Sequence, residues 1–216
     1  MQELGILIRK ELISQIRSQS NLPSIILYVL STTFIVFTAF VQVNPKTWIT
    51  LYWIIVVLAS ANAAQQSFDE LKGIESLYYY QLSSVGNYFA AKVSSTLILI
   101  GILSILTFIG LGLFAGVPIR HPSLFLLTNI LAWVGLAFIF SFLSFIIVKV
   151  EGRSGLLPLL AFPLLLPLLM EVIKLSSIAA GILMDTEYSG DLLLLAAIDC
   201  ISIAISLLLI RYLWQA

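Results

Sequence analysis

Residues 123–148 contain not one charged side chain, and five further stretches of the chain are almost as apolar. A helix rises about 1.5 Å per residue, so roughly twenty apolar residues cross the ~30 Å hydrocarbon core of a bilayer. The runs at 22–43, 47–66, 87–117, 123–148, 156–183 and 190–213 all reach that length. Peptide groups in hydrocarbon must pair internally, which makes each run a helix. Composition agrees: 60% of the residues are hydrophobic and only 10% are charged, whereas soluble domains carry roughly 25% charge. The expectation is an all-α membrane protein with six transmembrane helices in one domain, 1–216. No repeat, low-complexity tract or second domain interrupts it.

Ahead of the first run, Leu4, Ile8, Leu12 and Ile16 form an i, i+4 stripe opposite Glu3, Lys10 and Arg17. A helix over 2–18 with that pattern is too polar to span a bilayer and suits its surface; docking against a cytoplasmic partner is the other reading. No small-residue cleavage site follows the first apolar run, so no secretory signal is expected. Basic residues set the orientation. With the N-terminus in the cytoplasm, Arg9, Lys10, Arg17, Lys72, Lys149, Arg153 and Arg211 lie inside, and only Lys46 and Arg120 lie outside. Both termini are expected to be cytoplasmic.

Chemistry of the chain's own is not in evidence. Eleven basic residues balance eleven acidic ones, which gives nucleic acid nothing to grip. One cysteine, Cys200, and one histidine, His121, leave no material for a disulfide or a self-contained metal site. Phosphate-loop, zinc-protease and nucleophile-elbow motifs are absent. Energy must therefore come from a partner or an ion gradient.

The one long polar connection, 67–86, is the most informative stretch. Phe68, Leu71, Ile74 and Leu77 recur at i+3, interleaved with Asp69, Glu70, Lys72 and Glu75 around Gly73. A short surface helix of this kind is fit to be gripped by another protein; a solvated loop anchored by Tyr78–Tyr80 is the alternative. In the fifth run, Pro158, Pro163 and Pro167 each remove a backbone donor and invite a kink. Glu171 and Lys174, at i, i+3, are intramembrane polar candidates that either serve transport or neutralise each other near the outer interface. Asp199, mid-way along the sixth run, is expected to be neutral, paired across helices or set in a polar cavity, and to face protein. His121 reads as a surface residue of an Arg-His-Pro turn. Gly112 with Gly116, and Ala59 with Ala63, have the spacing of close helix packing.

An elbow, six spans and a segment after the second span resemble an ABC-2-type permease. More narrowly, the chain resembles the B subunit of the cytochrome c maturation ABC complex, the haem exporter B (CcmB) family. The residues that carry this are Arg9-Lys10-Glu11-Leu12 with Arg17, Phe68-Asp69-Glu70 with Gly73, Lys92, and the block from Arg153 through Pro158, Pro163 and Pro167 to Leu169. The chain departs from relatives at Ser76 and at Ser83–Ser84. The resemblance implies a homodimeric permease in the bacterial inner membrane, with two copies of an ATPase subunit gripping 67–86. It also implies a haem-handling C subunit, a small D subunit and a periplasmic haem chaperone as partners. ATP would bind in the partner and haem in the assembled complex, with no cofactor bound directly by this chain. An ABC-2 exporter of a lipid, polysaccharide or drug, and a non-transporting scaffold that passes ATP-driven strain to a partner, are the competing readings.

Overall fold

The computed structural model describes residues 5, 7–9, 21–39, 43–69, 85–149, 157–183 and 188–215. They form six helices: α1 (Asn21–Ala39), α2 (Pro45–Asp69), α3 (Val85–Ala115), α4 (Pro122–Lys149), α5 (Leu157–Ala179) and α6 (Ser189–Gln215). No strand occurs among the described residues. Five helices carry stretches long and apolar enough to cross a membrane: Pro45–Ala64, Gly86–Ala115, Pro122–Ser144, Ala161–Ala179 and Ser189–Ile210. In α1 the apolar stretch is Ile26–Thr38, about 20 Å long and short of a full crossing. Of the elbow 2–18, only Gly5 and residues 7–9 are described, and they are helical.

The chain's own punctuation sets the helix ends. Asn44 caps α2, its side-chain oxygen accepting from Thr47 N at 2.8 Å, and Pro45 follows at the first helical position, where no N–H is needed. Gly116 (φ 74°) closes α3 and Gly181 (φ 71°) closes α5, both in the left-handed region that a side chain resists. Within the chain neither Gly112 nor Gly116 meets another helix. Gly116 meets nothing, and Gly112 faces only Val117 of its own turn. Close approach is instead made by Gly110 against Thr33 of α1 and by Gly101 against Trp133 of α4. Ala59 and Ala63 are buried, as their spacing suggests.

α4 is the central helix and touches α2, α3, α5 and α6, while α1 packs on α2 and α3. Leu27, Phe34 and Ile35 of α1 and Leu193, Ile201 and Leu208 of α6 point outward. In water such apolar surface would not persist on a soluble monomer; in a bilayer it is the natural exterior. Inside, polar groups pair across helices. Tyr52 of α2, Ser104 of α3 and Asn129 of α4 hydrogen-bond to one another, with Ser104 Oγ 3.1 Å from Asn129 Oδ1. Asn129 Nδ2 closes on the Phe125 carbonyl at 2.9 Å. Trp48, Tyr52, Phe108 and Phe125 pack around this cluster, bringing the start of α2, the end of α3 and the start of α4 to one end of the bundle.

Candidate functional site on the proline-containing fifth helix

α5 begins at Leu157, which puts Pro158 in its first turn. Pro158 thus stands at the edge of the described residues. Pro163 and Pro167 lie inside, as the sequence suggests. They leave the carbonyls of Leu159 and Pro163 without the N–H four residues on, so α5 is weak in its first half.

Its second half is tied on three sides. Trp53 Nε1 of α2 donates to Ser176 Oγ at 2.9 Å. Lys174 Nζ forms an ion pair with Asp191 Oδ1 of α6 at 2.7 Å. The carbonyl of Ala179 accepts from both Arg120 N, at 3.0 Å, and His121 N, at 2.8 Å. The turn between α3 and α4 is thereby fastened to the C-terminal end of α5. Arg120 also lies across Gly181, where a Cβ would come within 2.6 Å of its Cδ. His121 is exposed in this turn, as expected of a surface residue.

Asp199 sits opposite the weak half. It is 4% exposed, and neither carboxyl oxygen has a hydrogen-bond partner among the described residues. Its side chain fills the space that Gly135 of α4 leaves open, beside Leu168 of α5: a Cβ on Gly135 would overlap both Leu168 Cδ1 and Asp199 Oδ1. Asp199 therefore faces protein. A small cavity lies nearby, lined by Pro167, Leu164, Ile139, Phe142 and Ser202 among others.

Lys174 has a partner that spacing along one helix does not reveal, namely Asp191. Glu171 Oε2 is buried without a hydrogen-bond partner among the described residues. Of the segment 67–86, Phe68 and Asp69 end α2, while Glu70, Leu71, Gly73, Ile74, Glu75 and Leu77 lie outside the described residues. Sequence reading missed Gly135, Trp53, Ser176 and the double acceptor at Ala179. An isolated glycine within an apolar helix was the one local signal for the first. No group of three or more His, Cys, Asp or Glu side chains assembles among the described residues.

A bundle of long apolar helices with an apolar exterior defines a multi-pass helical membrane protein. The chain belongs to the CcmB family: the family described as CcmB protein matches residues 2–210. Members are haem exporter permeases of cytochrome c biogenesis, transport subunits of an ABC complex and not enzymes. No curated protein and no solved structure matches the chain significantly.

Proposed function

We propose that this chain is the permease subunit of an ABC-type complex that delivers haem, or releases a haem chaperone, during c-type cytochrome assembly. A separate ATPase, in two copies, supplies the energy. The family match along nearly the whole chain carries this reading. In it, α1 completes a sixth span with neighbouring residues, both termini face the cytoplasm, and the chain pairs with a second copy of itself in the bacterial inner membrane. The ATPase grips 67–86, directly before α3 and at the end of α2. The haem-handling C subunit, the D subunit and the periplasmic chaperone complete the assembly, and haem is held there and not by this chain alone.

The geometry of α5 supports a mechanical route. Movement of the ATPase pulls on 67–86, and α5 yields at Pro163 and Pro167. The Ala179 carbonyl then passes the displacement to the Arg120–His121 turn, which faces outward in this topology. Catalytic side chains are not needed for such transmission; the binding energy of ATP in the partner does the work.

Deletion of the gene is expected to abolish c-type cytochromes while b-type cytochromes persist, and an inactive ATPase partner should give the same phenotype. Reversing Asp69 and Glu70 to lysine should release the ATPase from a permease that still inserts. A deletion strain with normal c-type cytochromes and a missing surface lipid or glycan would replace this reading with the exporter alternative.

A further inference from the structure

Two contacts fix how α5 faces α6. Lys174 of α5 pairs with Asp191 of α6, and two turns earlier Pro167 shares a small cavity with Ile198 and Ser202 of α6. Positions three and four apart stack on one face of a helix, so Glu171, between Pro167 and Lys174, belongs to the same α6-facing row. On α6, Asp191 and Asp199 lie about 12 Å apart along the axis. Glu171 stands between them in depth, about 4.5 Å deeper than Lys174.

Each of these three carboxyls has a buried oxygen without a hydrogen-bond partner among the described residues: Asp191 Oδ2, Glu171 Oε2 and both oxygens of Asp199. The series has a wet end and a dry end. Lys174, beside Asp191, is 43% exposed, whereas Asp199 is buried and lies about 15 Å along α6 from Ser189. A carboxylate without a partner at that depth would be stranded in hydrocarbon, so Asp199 is held as the neutral acid. Its surroundings offer no compensating charge. α4 has no ionisable side chain between Pro122 and Lys149, and the one charged residue of α3, Lys92, is near its start. On α5 the charged groups are Glu171 and Lys174, the latter paired with Asp191, and Arg211 of α6 is more than three turns beyond Asp199.

We infer that Asp191, Glu171 and Asp199 form a proton path along the α5–α6 seam, leading from the Lys174 end of the bundle to a proton-binding site at Asp199. A proton from water at that end bonds to a carboxylate oxygen of Asp191 and then of Glu171. Glu171 passes it to the Asp199 carboxylate, which becomes the neutral acid, and the reverse transfers return it to water. Carboxyls suit such a relay because one oxygen accepts a proton while the other is free to release one. The last step covers about 7.5 Å in depth, a gap that side-chain reach and one bridging water span. Gly135 supplies the room that the Asp199 carboxyl occupies. The path is independent of haem and ATP, and in the topology proposed above it opens outward.

The test follows the proton itself. The purified full-length chain in phosphatidylcholine nanodiscs is moved from ordinary to heavy water, and the infrared carbonyl band of a protonated carboxyl is recorded with time. A band that Asp199→Asn removes is expected, and its shift on deuteration should run far ahead of exchange at the core backbone amides. Glu171→Gln keeps the shape of the side chain, removes the carboxyl and should slow the shift about a hundredfold. Ser202→Ala, one turn further along α6, should leave the rate unchanged. Thermal unfolding verifies that each variant is folded, and Asp191→Asn carries the test should Glu171→Gln fail to fold. Absence of an Asp199 band would mean an ionised, partnered carboxylate and would overturn the inference. Exchange no faster than that of the core amides would overturn it equally. So would a rate that Glu171→Gln leaves unchanged; slowing by Ser202→Ala in its place would bring the proton from the opposite end.

Discussion

Where α2, α3 and α4 meet, Tyr52, Ser104 and Asn129 close their hydrogen bonds on one another; where α4, α5 and α6 meet, Asp199 closes none among the described residues. Both sites are buried and both lie inside apolar helices, yet the physical outcome differs. Separating α2, α3 and α4 would strand several polar groups in a medium without water, so they are held together directionally. Between α4 and α6 the contact rests on shape, a side chain filling the space left by Gly135. Next to it, α5 lacks two backbone donors. One region is a frame, and the other is where a helix of the bundle has lost backbone hydrogen bonds.

The most drastic way to break this comparison is to restore the missing donors. Replacing Pro163 and Pro167 together by alanine restores two N–H donors and stiffens α5; c-type cytochrome content should fall by about tenfold or more although the protein inserts normally. Haem-stained gels of complemented deletion strains measure this, and undiminished cytochromes would show that bending is not needed. Next in size, Gly135→Val would drive a side chain into Leu168 and Asp199, with an expected loss of about 3 kcal/mol in reversible unfolding from mixed micelles. A neutral result would mean that α4 and α6 are not this close. Tyr52→Phe removes the hydroxyl that links Ser104 and Asn129 and should cost about 1–2 kcal/mol in the same assay. Smallest of all, Asp199→Asn keeps the shape and should change stability by less than about 0.5 kcal/mol, because no partner is lost. A penalty equal to that of Tyr52→Phe would reveal a partner for Asp199 and erase the contrast between the two regions.

The helices were legible because their signal is local. A run such as 123–148 has one possible meaning, and α4 follows it to within a residue at each end. Pro163 and Pro167 were legible for the same reason, as was the protein-facing position of Asp199. The spacing of Gly112 and Gly116 is shared by packing motifs and by helix ends, and Gly116 lies at a helix end. The pairs Lys174–Asp191, Trp53–Ser176 and Arg120–Ala179 join residues far apart in the chain, and no pattern of spacing announces them. The docking residues from Glu70 to Leu77 lie outside the described residues, so the family resemblance and their own pattern remain what supports that assignment.

The carbonyl of Ala179 also has a bearing on how the protein is made. During synthesis the α3–α4 hairpin leaves the insertion machinery before Ala179 exists, so the amides of Arg120 and His121 begin without their acceptor. Only when α5 has entered the bilayer can its end close over that turn, and only when α6 follows can Asp191 reach Lys174. The last third of the chain is therefore a clasp that is fastened last. A nascent chain stopped before residue 157 would carry an unfinished turn for membrane quality control to recognise.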